Sequence, residues 1–180
     1  MPVPVLRRLG HRRIARTRFL TLERHYLLDG RGRWTVRDVV RHPGAVVVIP
    51  WNGTAVALIE QYRHAAGRRL RELPAGKLDI AGEPPRDTAR RECIEEAGLD
   101  PGRLTLVHSC FTSPGFTDEY CHIYLAEDLR PVVADPQGIE EEQAEIVWLT
   151  ASEAEADLAA GVFEDATTIV GLYALLAHLR

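Results

Sequence analysis

The chain has 180 residues, a net charge of −4 and 46% apolar residues, which predicts one folded domain with a sizeable core. No apolar run is long enough to span a bilayer, so we expect neither a membrane span nor a secretory signal. The three cysteines lack CxxC spacing, which argues against a disulfide framework or a zinc site and favours a reducing cytoplasm.

Residues 1–43 are basic, with eleven arginines against three acids. We expect a small β-rich arm here, because residues 19–26 and 34–40 have strand-like patterns and Asp29-Gly30 between them is a turn signal. The arm lacks interleaved aromatic residues, which does not favour nucleic acid as its partner. An anionic diphosphate or an acidic partner subunit is equally consistent with its charge. A ribbon of this size buries little surface alone, so it needs the main domain or a second copy.

The main domain is predicted to span residues 44–180. Residues 45–50 form a continuous apolar, β-branched run that is typical of a buried strand. Asn52-Gly53 predicts a hairpin turn, with residues 55–61 returning as the partner strand. Arginines then cluster, and some of them could face a diphosphate, although surface charge is the alternative for any one. The clustered arginines are Arg63, Arg68, Arg69 and Arg71.

Residues 84–97 predict a helix that carries a cluster of acids. Prolines are tolerated in its first turn, and Gly98 is expected to end it as a left-handed C-cap. Three glutamates are spaced i, i+3, i+4 on one face: Glu92, Glu95 and Glu96. Such like charges repel on a bare helix, whereas a hard divalent cation reverses the sign of that interaction. The alternative is an ordinary solvated acidic face.

Strands are predicted at residues 104–111, 119–125 and 146–149, and two helices follow them. Thr150 with Glu153 indicates a capping box at the start of the first. The second has an apolar face at helical spacing, formed by Ile169, Leu172, Tyr173, Leu176 and Leu179. Mixed strands with helices on both sides indicate an α/β fold of the α/β/α sandwich type.

The stretch from Gly76 to Leu99 resembles the Nudix box of the Nudix hydrolases. Glu83, seven further residues and then RECIEEAGL at 91–99 follow the box pattern. One departure is that six residues, not the usual five, separate Gly76 from Glu83. The extra residue precedes the helix, so the helical carboxylates stay in register. The resemblance implies the same α/β/α sandwich with a mixed sheet.

Four further segments are similar to the ADP-ribose pyrophosphatase branch of that family. They are GAVVV at 44–48, QYRH at 61–64, ELPAG at 72–76 and SPGFTDE at 113–119. Pro114 matches the proline that usually marks this branch. The resemblance implies hydrolysis of ADP-ribose, a small nucleoside diphosphate sugar, to AMP and ribose 5-phosphate with Mg²⁺ or Mn²⁺.

The resemblance also implies roles for individual residues. Glu92, Glu96 and the backbone carbonyl of Ala75 correspond to metal ligands. Glu95 is either a third ligand or a base, and Arg91 orients the carboxylates. The catalytic base of the branch comes from a later loop, where Glu142 fits the spacing best and Glu141 is close behind.

Substrate contacts are expected from Arg63 and Glu119, which match positions that touch ribose or phosphates in the branch. An aromatic residue of the arm, Trp34 or Phe19, is a candidate to stack on adenine, with core packing favoured for Phe19. Members of the branch are homodimers with exchanged N-terminal strands, which agrees with an arm that cannot bury itself.

Two alternatives stay open from the sequence. One is a hydrolase of other nucleoside diphosphate sugars or of oxidised nucleotides, because a few loop contacts decide specificity. The other is a non-catalytic ligand sensor or nucleic-acid-binding regulator with the same fold. A broken box would indicate the second alternative, whereas the box residues Arg91, Glu92, Glu95 and Glu96 are all present.

Overall fold

The computed structural model describes residues 6–135, 137–138 and 143–180. These divide into two compact units. The first contains the described residues up to Gly44 together with Phe111–Tyr120, and the second contains Ala45–Cys110 with the described residues from Cys121 to Arg180.

The first unit is built on a three-stranded antiparallel sheet in the order β1-β2-β3. Its strands are β1 (Arg7–Arg16), β2 (Thr21–Leu28) and β3 (Trp34–Arg41). The predicted turn at Asp29 is confirmed, since the Asp29 carboxylate accepts bonds from the backbone N–H groups of Arg31 and Arg33 at 2.9 and 2.8 Å. Strand β1 was not predicted as a separate element, because its nearly uniform exposure leaves no alternating apolar pattern.

The second unit contains two sheets, in the orders β7-β4-β9-β8 and β10-β5-β6. The strands of the first sheet are β4 (Ala45–Pro50), β7 (Ala75–Lys77), β8 (Leu99–Phe111) and β9 (Tyr120–Pro131). Those of the second are β5 (Ala55–Arg63), β6 (Arg68–Glu72) and β10 (Glu145–Thr150). Strand β4 pairs with β9 in parallel and with β7 in antiparallel orientation, so its sheet is mixed.

The predicted hairpin of residues 45–50 with 55–61 is wrong. The turn forms, because the Asn52 side chain accepts bonds from the N–H groups of Thr54 and Ala55 at 2.9 and 2.8 Å. However, both edges of β4 are occupied by β7 and β9, so β5 pairs with β6 and β10 in the other sheet. A single bridge between Trp51 and Val56 marks the point where the two strands separate.

Three helices lie in the described part of the second unit. They are α1 (Pro85–Ala97), α2 (Ala151–Ala160) and α3 (Ala166–His178). The predicted capping box of Thr150 and Glu153 starts α2. On α3, Leu172 and Leu176 are buried as predicted, but Tyr173 is 57% exposed, so the apolar face is narrower than the sequence indicated.

The buried strand β4 packs on a different helix with each of its faces. Val47 and Ile49 belong to one core cluster with Leu172 of α3. Val46 and Val48 belong to another that includes residues of α1. Because side chains alternate along a strand, one short apolar run serves both layers. This arrangement confirms the predicted α/β class.

Within the described residues, none of the helices has the length and apolar character needed to cross a membrane.

Candidate active site

Helix α1 has a buried face and an acidic face. Ala89, Cys93 and Ala97 are buried against the core. Burial raises the pKa of the Cys93 thiol to about 12. The helix ends at Gly98, whose φ of 62° is left-handed as predicted.

The acidic face is not a solvated surface. The side chains of Glu92 and Glu95 are only 12% and 16% exposed. Burying carboxylates is costly unless they are paired or bound to a cation. The partners of these carboxylates therefore decide what the face can do.

Arg91 gathers three of the box carboxylates. Its Nη1 donates to Glu92 Oε1 at 2.7 Å and to Glu95 Oε2 at 2.9 Å. Its Nε and Nη2 donate to the two oxygens of Glu83 at 3.3 and 3.2 Å. Burial alone would lower the pKa of Arg91, but the bond to Glu83 and the charge of Glu92 raise it above its ordinary value. Arg91 is therefore a fixed cation that orients these side chains.

Glu83 is held from a second side as well. The Thr88 hydroxyl donates to Glu83 Oε2 at 2.8 Å. The hydrogen bond that Glu83 accepts from Arg91 lowers the pKa of Glu83, although burial acts in the opposite direction. The extra residue between Gly76 and Glu83 therefore does not take Glu83 away from the cluster.

Strand β7 lies directly against the acidic face. The backbone N–H of Ala75 donates to Glu96 Oε2 at 2.8 Å. A Cβ atom built on Gly76 would lie 1.9 Å from Cδ of Glu92, so the carboxyl group fills the space where a side chain would begin. Pairing of Ala75 with Val47 of β4 fixes this strand in place. The structure thus brings together Ala75, Arg91, Glu92, Glu95 and Glu96.

Glu92 lies in an environment that disfavours its ionised form. Burial raises the pKa of its carboxyl group, and this effect outweighs the opposing charge and hydrogen bond of Arg91. The neighbouring charge of Glu95 acts in the same direction as burial. A nearby divalent cation would favour the ionised form of such a group.

The donor set fits a hard cation that is shared with a ligand. In residues 6–135, 137–138 and 143–180, no group of three or more His, Cys, Asp or Glu side chains forms a metal cage. Mg²⁺ does not need one, because it typically uses one or two carboxylates together with substrate phosphates and water. Glu92 and Glu96, both adjoining β7, supply carboxylates of that kind.

Arg63 and Glu72 form a second, partly buried charge pair in the same unit. Arg63 Nε and Nη2 donate to Glu72 Oε2 at 2.9 and 2.6 Å. The Glu72 side chain is 6% exposed and that of Arg63 is 39% exposed. Burial alone would lower the pKa of Arg63, but the bond to Glu72 and the charges of Glu72 and Glu96 raise it. The negative charge of Glu96 thus helps to stabilise the protonated form of Arg63, the predicted substrate-binding arginine.

The other predicted substrate contacts belong to the first unit. Glu119 Oε2 accepts a bond from the Thr112 hydroxyl at 2.6 Å. Pro114 lines a pocket of about 430 Å³ within that unit. Trp34 begins β3 and is 72% exposed. Phe19, for which core packing was favoured, is 42% exposed and lies edge-on to the ring of His42.

The predicted catalytic base, Glu142, and its alternative, Glu141, lie outside the described residues. Their roles therefore stay predictions.

Sequence reasoning missed the partner of Arg63. Glu72 stands nine residues away on the next strand, and the ladder of β5 with β6 brings the two side chains together. The signal available in the sequence was an acid at the end of a strand rich in arginines. The close approach at Gly76 had only the weaker signal of a glycine in the box.

Comparisons with known proteins find relatives of this chain in sequence and in fold. The family model of the NUDIX domain matches residues 40–169. An ADP-ribose pyrophosphatase of Mycobacterium tuberculosis is 40% identical over 81% of this chain and 71% of its own length. A methanol dehydrogenase activator of Bacillus methanolicus is 41% identical over 68% of this chain and 66% of its own length.

A solved structure of an ADP compounds hydrolase superposes with a TM-score of 0.85 at 22% identity and covers 97% of this chain and 94% of its own. This likeness concerns the fold alone. The match of the family model over most of the chain and the two sequence relatives point to one conclusion: the chain belongs to the Nudix family.

Proposed function

We propose that this protein hydrolyses the diphosphate bond of ADP-ribose to AMP and ribose 5-phosphate with Mg²⁺ or Mn²⁺. The observation that carries the proposal is the meeting of Glu92 and Glu96 with strand β7 in a chain of the Nudix family. The name of the relative from Mycobacterium tuberculosis supports the choice of substrate.

In this proposal Glu92, Glu96 and the carbonyl oxygen of Ala75 hold the cation. When bound, the cation neutralises diphosphate charge and lowers the pKa of a coordinated water. Arg91 keeps the carboxylates in place through its bonds to Glu92 and Glu95. Glu95 serves as a third ligand or as a base.

Arg63 is proposed to bind the diphosphate, and Glu142, or Glu141 next to it, to act as the general base. Glu119, Pro114 and Trp34 are proposed as further substrate contacts.

The β-rich arm of residues 1–43 is proposed to exchange between two copies in a homodimer. Cys93, Cys110 and Cys121 are not joined by disulfides within the described residues, which supports a reducing cytoplasm as the location.

Product analysis tests the proposal. Purified protein is incubated with ADP-ribose and Mg²⁺, and the products are separated by chromatography. We expect equimolar AMP and ribose 5-phosphate, formation that stops on chelation, and loss of activity in Glu92→Gln. Absence of metal-dependent AMP release from ADP-ribose would contradict the proposal.

The same assay separates the alternatives. Faster turnover of GDP-mannose or of an oxidised nucleotide than of ADP-ribose would replace the substrate but keep the diphosphate chemistry. Binding of these compounds without turnover would instead indicate a ligand-sensing regulator.

A further inference from the structure

We propose that Glu72 is a positioning residue, which holds the guanidinium of Arg63 so that its free edge meets an anionic phosphate of the substrate. This inference rests on the proposed function. It assigns a task to a buried carboxylate that the cation site does not use.

The ladder between β5 and β6 places the pair on the buried face of the two strands. Ile59 stands opposite Glu72, and Gln61 stands opposite Leu70. Because side chains alternate along a strand, Ile59, Gln61 and Arg63 share one face of β5. Ile59 and Gln61 are each 1% exposed, so Arg63 lies at the end of a buried row of side chains.

Glu72 holds Arg63 by two of its nitrogen atoms. Nε donates to both carboxylate oxygens, at 3.1 and 2.9 Å, and Nη2 donates to Oε2 at 2.6 Å. Gln61 Nε2 reaches Glu72 Oε2 at 3.4 Å. A planar guanidinium that is held in this way cannot rotate about its last bonds without losing charge-assisted hydrogen bonds.

The remaining edge of the guanidinium is available. No side chain or carbonyl among the described residues accepts a hydrogen bond from Arg63 Nη1. An arginine has five N–H donors in a fixed fork, so a contact through Nε and Nη2 leaves the edge formed by Nη1 and the second proton of Nη2. That edge matches two oxygens of a phosphate.

Burial makes this arrangement more than a surface ion pair. A carboxylate that is 6% exposed needs its partner, whereas an exposed pair has little energetic effect. The pair is also close in sequence to the candidate site. Glu72 ends β6, and the ELPAG segment continues from it to Ala75 and Gly76 of β7. The carboxylate that holds Arg63 therefore lies three residues before Ala75 in the segment that meets α1.

Steady-state kinetics with ADP-ribose and Mg²⁺ tests the role. We expect Glu72→Gln to raise KM by about tenfold, the effect of losing one charged hydrogen bond, with a smaller change in kcat. Arg63→Met is expected to raise KM at least as much. The double variant is expected to match Arg63→Met alone, because Glu72 acts through Arg63. Should Arg63→Met not fold, Arg63→Lys replaces it in the single and in the double variant. Lysine keeps the positive charge but lacks the planar fork of N–H donors.

Glu127→Gln is the matched control. Glu127 is also paired with an arginine, Arg103, at 2.9 Å and is 18% exposed, but it lies on β9. We expect it to keep the wild-type KM. Thermal unfolding of every variant shows whether a change in KM merely follows lost stability.

Three results would overturn the proposal. A folded Glu72→Gln protein with wild-type KM would show that the carboxylate has only a structural role. A further rise in KM when Glu72→Gln is added to Arg63→Met would show that Glu72 acts independently of Arg63. A wild-type protein that does not hydrolyse ADP-ribose would remove the proposed function and this inference with it, whereas the first two results leave that function intact.

Discussion

At the scale of single residues, the absence of a side chain at Gly76 decides how β7 meets α1. The carboxyl group of Glu92 occupies the volume where a Cβ atom would stand, 1.9 Å from its Cδ. Glu92 is also the carboxylate whose pKa is raised by burial. A single methyl group added at residue 76 would therefore act directly on a proposed cation ligand.

We expect Gly76→Ala to displace the Glu92 carboxylate and to lower kcat by about 100-fold, as small misplacements in active sites do. Overpacking is expected to destabilise the fold by about 1–3 kcal/mol. Activity and thermal unfolding measure the two effects. Gly30→Ala is the control, because nothing lies within 4 Å of a Cβ atom built there. A Gly76→Ala protein with full activity would show that Glu92 can move without consequence.

Much of the candidate site follows from residue spacing alone. Glu92, Glu95 and Glu96 share a face because 3.6 residues make a helical turn, and Arg91 reaches Glu95 one turn later. The contact of Ala75 with Glu96 and the pair of Arg63 with Glu72 depend on strand pairing over long sequence separations. Spacing within one element carries no information about such contacts.

At the scale of elements, α1 combines packing and chemistry on opposite faces. Small residues bury one face, and the glutamates held by Arg91 form the other. Since the helix carries no side-chain cap at its start, its position depends on this packing and on the salt bridges of Arg91.

Arg91→Lys tests that dependence. Lysine keeps the charge but lacks the planar fork through which Arg91 makes four hydrogen bonds to Glu83, Glu92 and Glu95. We therefore expect kcat to fall by about tenfold or more with the helix still folded. Arg90→Lys is the neighbouring control, since Arg90 pairs with Asp100 instead. Steady-state kinetics and circular dichroism provide the measurements. Equal activity of the two variants would contradict the orienting role of Arg91.

Sequence patterns located the strands with strong apolar runs but not all strands or their partners. Strand β4 was predicted with its observed bounds, because a continuous β-branched run is a strong signal. Strand β7 has only three residues, and β6 is rich in arginine, so neither gives a clear period. The hairpin prediction for β4 and β5 failed because competition for strand edges is decided by the whole sheet.

At the scale of the whole molecule, charge is distributed so that the basic first unit neutralises its own acids. Arg41 donates to Asp118 at 2.7 Å and to Glu23 at 3.0 Å, and Arg24 donates to Asp38 through two bonds. Hydrogen bonds from His25 and Arg41 lower the pKa of Glu23 to about 2. These pairs engage Arg24 and Arg41, two of the eleven arginines that the sequence shows near its N-terminus.

Lowering the pH is therefore expected to reduce the stability of the folded first unit. Carboxyl groups whose pKa is lowered on folding stabilise the folded state above their unfolded pKa, and this stabilisation is lost as pH falls toward the folded value. For Glu23 the window runs from 4.5 down to about 2. We expect the thermal midpoint to fall through this range and Glu23→Gln to reduce the slope. A slope unchanged by Glu23→Gln would contradict this account.

The central claim is that Glu92 and Glu96 hold the cation that makes the diphosphate reactive. Electron paramagnetic resonance of Mn²⁺ in the presence of a non-hydrolysable ADP-ribose analogue tests it most directly. The account predicts that Glu92→Gln and Glu96→Gln each lose Mn²⁺ affinity by about tenfold or more, whereas Glu155→Gln on α2 keeps it. Wild-type Mn²⁺ affinity in both folded variants would contradict the claim.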